Sequence, residues 1–161
     1  SNSFRELPRE KIFNEERRIF DEILGRRGDE KVSTIRDAMR KVMNENVWVF
    51  RTEEGLRSAL KEIKHLRERF KNIGIEDKTR TFNTQLIETL QLDFMLDLAE
   101  VTVVSALART ESRGAHYRLD YPSRDDEKWL VHTLAYYTKE GPKLEYIPVT
   151  ITRWQPTVRA Y

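Results

Sequence analysis

The sequence predicts a mainly α chain: an up-down helical bundle of three main helices plus an N-terminal helix, followed by a small C-terminal β-hairpin. Three observations carry this. Apolar residues recur at helical spacing from Arg9 to about Thr110. After Gly114 the pattern changes to aromatic and β-branched segments. A turn signal, Lys139-Glu140-Gly141-Pro142, divides that second region in two.

The first helix spans Arg9 to Leu24, where Ile12, Phe13, Ile19, Phe20, Ile23 and Leu24 share a helical spacing, and Gly25 and Gly28 stop it. The second starts at Ser33 or Thr34 with a capping hydroxyl and runs to Asn46, with Ile35, Ala38, Met39, Val42 and Met43 on one stripe. After the short apolar link NVWVFR, Thr52 caps a third helix with Leu56, Ala59, Leu60, Ile63, Leu66 and Phe70 on one face. Gly74 is placed as the C′ glycine that ends it. The longest helix runs from Asn83 or Thr84 to Arg109 or Thr110, roughly 39 Å at 1.5 Å per residue. Its segment VTVVSALA is apolar on nearly every side, which predicts a central, buried helix. Lys128–Thr138 and Lys143–Thr152 read as the two hairpin strands, with Pro148 at an edge or bulge because it has no N–H to give.

At 161 residues and 39% hydrophobic, the chain is long enough for a single domain with a real core, a helical part at 9–114 and a loop, hairpin and tail at 115–161. Lys+Arg 29 against Asp+Glu 27 is too balanced for a nucleic-acid footprint, and KHLRERFK reads as the solvated face of a helix. Without cysteine, disulfides, thiolate metal sites and cysteine nucleophiles are excluded. SNSFRELPREK lacks a signal-peptide core and no apolar run is long enough to span a bilayer, so no direct membrane insertion is expected. The glycines are isolated, with neither a dinucleotide fingerprint nor a P-loop, so no cofactor-binding residue is assigned within the chain.

The densest polar stretch is TESRGAHYRLDYPSRDDEKW, Thr110 to Trp129. Of the three histidines, His65 and His132 suit structural positions, whereas His116 is surrounded in sequence by Arg113, Arg118, Asp120 and Arg124-Asp125-Asp126. A metal set could be drawn from His116, Asp120 and Asp126, but the spacing matches no ligand motif and the arginines repel a cation, so no metal is assigned. Composition favours a loop in which arginines satisfy carboxylates and backbone carbonyls over a catalytic site. His116 and Arg113 are the residues to watch for a catalytic part, and no catalytic residue is assigned.

ESRGAHYRLDYPSRDDEKWLVHTL resembles the signature of the C-terminal domain of the flavoprotein subunit of succinate dehydrogenase and fumarate reductase. The resemblance extends through VFRTEEGL, FNTQLIETLQL and VSALARTESRG, and on to LEYIPVTI and VRAY. L-aspartate oxidases are similar around ESRG and LDYP, but RDDEKWLVHTLAYYT and the VRAY tail look like the dehydrogenase branch. The resemblance implies a spectrin-repeat-like bundle with a β extension, and a chain that is the last part of a longer FAD-binding subunit interconverting succinate and fumarate. It implies FAD in the parent subunit and none held by this segment. The implied partners are the flavin-binding and capping domains, an iron–sulfur subunit and a membrane anchor, which would put the complex on the cytoplasmic, inner face of the cell membrane. The expected docking residues are Arg109, Glu111, Arg113, Gly114, His116, Arg118, Asp120, Arg124, Asp126, Trp129, Arg159 and Tyr161. An independent helical interaction module, and a basic nucleic-acid binder, remain open as alternatives.

Overall fold

A computed structural model describes residues 6–157 of the chain, so the expected docking residues Arg159 and Tyr161 lie outside the described residues. Its order is α1 (Arg9–Arg17), a π-helical turn (Arg18–Ile23), α2 (Val32–Asn46), β1 (Phe50–Arg51), α3 (Glu53–Phe70) and α4 (Thr84–Ala108). There follow β2 (Tyr117–Arg118), α5 (Asp126–Trp129), β3 (Val131–Tyr136) and β4 (Lys143–Pro148). The class is the expected helical bundle with a C-terminal hairpin. The chain groups into two compact units, the first ending at Asn44 and resuming over Lys61–Ala99, the second made of Glu45–Leu60 and Glu100 onward.

In the first unit the apolar stripes of α2, α3 and α4 meet in one core containing Ile35, Met39, Ile63, Leu66, Phe70, Leu92 and Leu96. Each such side chain, fully buried, contributes about 1.5–3 kcal/mol before chain entropy is counted. The N-terminal helix departs from expectation. It widens at Arg18 into π geometry, with the Leu24 N–H bonded to Ile19 O at 2.9 Å. Ile23 and Leu24 enter the core, while Ile12 and Phe13 stay exposed. Asn83 begins α4: its Oδ1 accepts from the Leu86 N–H at 2.8 Å, and its Nδ2 donates to Asp77 O and Thr79 O.

Gly74 does not end α3 as a C′ residue. The helix stops at Phe70, and among the described glycines only Gly114 and Gly141 have positive φ. Gly74 instead lies against Gly28: the Gly28 N–H bonds Ile73 O at 3.1 Å and the Gly74 N–H bonds Glu30 O at 3.0 Å. A Cβ on Gly74 would sit 2.2 Å from Gly28 O, and one on Gly28 would sit 1.9 Å from Asn72 O. Two chain segments can pass this closely only without side chains. Gly74→Ala is therefore expected to cost about 1–3 kcal/mol by overpacking. Gly114→Ala, in open space at φ +58°, should cost about 1–2 kcal/mol through backbone strain alone. Urea melts of both variants check this: relaxation visible in the Gly74→Ala structure would accompany the cost, and no loss at Gly74 would refute the close-approach account.

In the second unit, Phe50–Arg51 pairs in parallel with Tyr117–Arg118, and the Leu119 N–H donates to Arg51 O at 2.8 Å. Thr52 caps α3, its Oγ1 accepting from the Gly55 N–H at 3.1 Å. Val47, Leu56, Ala59, Val103, Ala106 and Trp129 are buried here. The hairpin is shorter than expected, because Asp125 Oδ1 accepts from the Lys128 N–H at 2.9 Å and turns Asp126–Trp129 into a helical turn. An N-cap thus outweighs the β propensity of the residues behind it. Pro148 occupies the last ladder position, opposite Val131. In α4 the VTVVSALA segment buries Val103 and Ala106, while Ile87, Phe94 and Leu98 lie on the exposed side of the amphipathic part before it. Apolar composition says what a helix can bury, not what it does bury.

Candidate functional site

The polar stretch after α4 folds around two fully buried charges. The first is Glu111, held at the mouth of the loop. Its Oε1 accepts from Arg109 Nη1 at 2.6 Å and Arg113 Nε at 2.8 Å; its Oε2 accepts from Arg113 Nη2 at 3.0 Å and the Asp125 N–H at 2.8 Å. Burial pushes the Glu111 carboxyl up, but the hydrogen bonds from Arg113, the Asp125 amide and Arg109 together outweigh it, and the group stays below the usual carboxylate range. Arg109 also donates to Trp129 O at 2.9 Å and Val131 O at 2.6 Å, and its guanidinium lies 5.0 Å from the center of the Trp129 ring. Trp129 is buried and donates its Nε1–H to Thr110 Oγ1 at 3.1 Å. Arg113 reaches on to Asp126 at 2.6 Å; Asp126 also pairs with Arg124 at 2.7 Å, and Arg124 donates to Thr157 O at 2.6 Å.

The second buried charge is Arg118, positioned by its place in β2. It grips both oxygens of Asp120 at 2.7 and 2.8 Å, and its Nη1 donates to Ala106 O at 3.0 Å and Leu107 O at 3.2 Å. Those carbonyls belong to the last turn of α4, which has no later helical N–H to bond. A side chain ten residues downstream therefore supplies the cap. The Asp120 carboxyl is drawn down to about 2, first by Arg118 and also by the Glu53 N–H, which donates at 2.7 Å. Gly114 sits further out, in a tight turn closed by the Arg113 N–H to His116 O at 2.8 Å and the His116 N–H to Arg113 O at 3.0 Å. It adopts the left-handed backbone that its residue type allows.

His116 is half-buried between these groups. Arg51 Nη1 donates to its Nδ1 at 2.8 Å, and its Nε2 lies 3.1 Å from Arg109 O. Arg51 can only donate and a carbonyl can only accept, so the ring is assigned as the neutral Nε2–H tautomer. Burial lowers the His116 pKa below the ordinary histidine value, and the positive charges of Arg51, Arg118 and Arg109 lower it further.

The structure therefore brings Arg109, Glu111, Arg113, Arg124, Asp126 and Trp129 into one cluster and His116, Arg118 and Asp120 into another. Arg109 links the two, its carbonyl accepting from His116 Nε2 and Arg118 Nη1 of the second. The arrangement is that of the satisfied loop, with arginines spent on carboxylates and helix-end carbonyls. The metal set is not assembled: Asp120 serves Arg118, Asp126 serves Arg113 and Arg124, and His116 serves Arg51. Among the described residues no group of three or more His, Asp or Glu side chains is placed to hold a metal ion. His65 and His132 are both exposed. Sequence reasoning missed Arg51 and the Glu53 amide, which reach the loop from far upstream. The only sequence signal was an arginine placed between an apolar link and a capping threonine. No described helix is long and apolar enough to cross a membrane.

Residues 36–161 match the family described as fumarate reductase flavoprotein C-term. The chain is 45% identical over 135 residues to a fumarate reductase flavoprotein subunit of Haemophilus influenzae, covering 83% of this chain and 22% of that protein. It is 43% identical over 159 residues to a succinate dehydrogenase flavoprotein subunit of Rickettsia conorii, covering 98% of this chain and 26% of that protein. An E. coli quinol fumarate reductase structure superimposes with a TM-score of 0.90 at 37% identity, over 98% of this chain and 27% of that one. The chain spans about a quarter of the length of the relatives it matches. Its sequence, its fold and its ESRGAH loop agree, and the chain belongs to the fumarate reductase flavoprotein C-terminal family.

Proposed function

We propose that this chain acts as the C-terminal segment of an FAD-dependent flavoprotein subunit that interconverts succinate and fumarate, and that its part is to brace the flavin-binding portion. In this reading 9–114 and 115–161 work as one segment. Electrons pass to an iron–sulfur subunit of a complex held at the cytoplasmic face of the membrane by an anchor. The relatives named as fumarate reductase and succinate dehydrogenase flavoprotein subunits support the activity.

The observation that carries the bracing role is the construction of the loop. Its charges are fastened inward by Glu111 and Arg118, while Tyr117 and Leu119 remain exposed, Tyr117 against the exposed Phe50 ring. A loop stiffened from within and apolar on its outer side suits contact with another protein surface. In this reading the flavin is held outside this chain. The Gly28 and Gly74 N–H groups are already bonded, and both ring nitrogens of His116 are engaged. In the same reading hydride chemistry belongs to the rest of the subunit.

Leu119→Asp tests the role. Leu119 is 53% exposed, so the isolated chain should change in stability by no more than about 0.5 kcal/mol. In the complete subunit the same change should weaken docking by about 2 kcal/mol, roughly thirtyfold, and lower flavin retention and fumarate turnover. Wild-type flavin content, stability and turnover in the complete variant subunit would refute the bracing role.

A further inference from the structure

We infer that His116 is an acid-released latch: its neutral ring fastens the segment carrying Arg51 to the loop carrying Arg118, and a proton on Nδ1 unfastens them. The latch concerns the chain's own folding and stands apart from the bracing role.

The geometry is that of a two-sided fastener. On one side Arg51 is held by Val47, its Nε donating to Val47 O at 2.8 Å, and offers Nη1 to the His116 Nδ1 lone pair. On the other side the Nε2–H of His116 is given to Arg109 O just beyond α4. The segments so joined form the parallel pairing of Phe50–Arg51 with Tyr117–Arg118, which is only two residues long. So short a ladder has little cooperativity of its own and depends on the side chains around it.

A proton taken from solvent onto Nδ1 removes the acceptor that Arg51 uses and leaves two cations facing each other where there was a hydrogen bond. Among the described residues, the carboxylates of the surrounding segments are already engaged. The charged groups around the ring are Arg51 from β1, Arg109 from the end of α4 and Arg118 from β2. Asp120 is taken by Arg118 and the Glu53 N–H, Glu111 by Arg109 and Arg113, and Glu53 by Arg57 at 2.7 Å. Histidine in most paired settings sits beside a carboxylate and is strengthened by acid; here the surroundings are cationic and the sign is reversed.

The sign runs in one direction. Folding lowers the His116 pKa below its ordinary value of 6.5, so the unfolded chain takes the proton first as pH falls. The latch is fully formed above about pH 6.5 and is lost as pH falls through the folded-state value. Asp120, whose carboxyl is at about 2, responds in a separate and more acid window.

The experiment is amide hydrogen exchange with imidazole NMR on the 161-residue chain between pH 7.5 and pH 4.5, with His116→Gln in parallel. The reporters are the Leu119 N–H, bonded to Arg51 O, and the Glu53 N–H, bonded to Asp120. Protection at both, corrected for the intrinsic pH dependence of exchange, should fall at least about tenfold as the ring titrates, with a midpoint below about 6.5. Glutamine can accept from Arg51 and donate to Arg109 O without titrating, so His116→Gln should hold its protection level across the range. Unchanged protection through the titration, the same acid response in His116→Gln, or a midpoint at or above 6.5 would overturn the latch. If His116→Gln does not fold, Arg51→Gln decides: removing the guanidinium should move the His116 midpoint upward, and an unmoved midpoint would equally overturn it.

Discussion

Glu111→Ala is expected to cost this chain about 3 kcal/mol, a large part of the 5–15 kcal/mol on which most domains rest. The side chain is fully buried and its two oxygens take four hydrogen bonds, so truncation strands several donors at once. The upper end of the range for broken buried ion pairs, about 5 kcal/mol, is not expected, because both arginines keep other partners. Arg109 retains Trp129 O and Val131 O, and Arg113 retains Asp126. Glu111→Gln should be nearly as harmful despite its matching shape. Its NH₂ group would face donors where the carboxylate oxygen accepted, and a buried donor aimed at a donor has no repair. Urea denaturation of both variants is the measurement. A Glu111→Gln loss below about 1 kcal/mol would mean that shape rather than charge holds the loop. The Glu111 carboxyl is depressed on folding, so its contribution is complete above the usual carboxylate range. It disappears as pH falls from the ordinary value of 4.5 through the folded one.

Arg118→Met should be of similar size, about 3–5 kcal/mol, for a different combination of reasons. Methionine has the length and the apolar body to fill the space, so the volume is nearly conserved and the loss is electrostatic. Asp120 would lose both guanidinium bonds while keeping the Glu53 N–H, and Ala106 O and Leu107 O at the end of α4 would lose their donor. Arg118→Lys is the decisive variant. A single ammonium cannot address both oxygens of Asp120 and two helix-end carbonyls in one plane, so it should recover little. Thermal melting should show a drop of about 2–4 °C for each kcal/mol lost. Hydrogen exchange should show the damage concentrated in the last turn of α4. Wild-type melting of Arg118→Lys would refute the capping account.

These two residues also show what could be read in advance. That Arg109, Glu111, Arg113, Arg118 and Asp120 belonged to a polar loop of internally satisfied charges was legible from composition, because carboxylates and guanidiniums cluster where backbone groups need partners. Which pairs with which was not. Glu111 turns to residues on both sides of it, whereas Arg118 reaches back to α4, and only folding decides between such partners. Arg51 and Glu53 were legible as the end of a link and the start of a capped helix, yet their contacts with His116 and Asp120 cross more than sixty positions of chain. Hydrophobic periodicity carries no information about that separation. Gly74 shows the same limit in the backbone: a glycine after a helix reads as a cap, and a second chain segment gave it another task.

The helices, the hairpin turn and the family membership of this chain were determined by sequence alone, because capping residues, apolar period and a local signature act through neighbours a few positions apart. Tertiary structure decided the π-helical turn, the Gly28–Gly74 crossing, the burial of Glu111 and Arg118, and the tautomer of His116. The Gly28–Gly74 crossing depends on how closely two segments pass, and the burial of Glu111 and Arg118 and the tautomer of His116 on which distant groups share a low-dielectric space. There a charge or a lone pair is settled by the partners that folding brings to it.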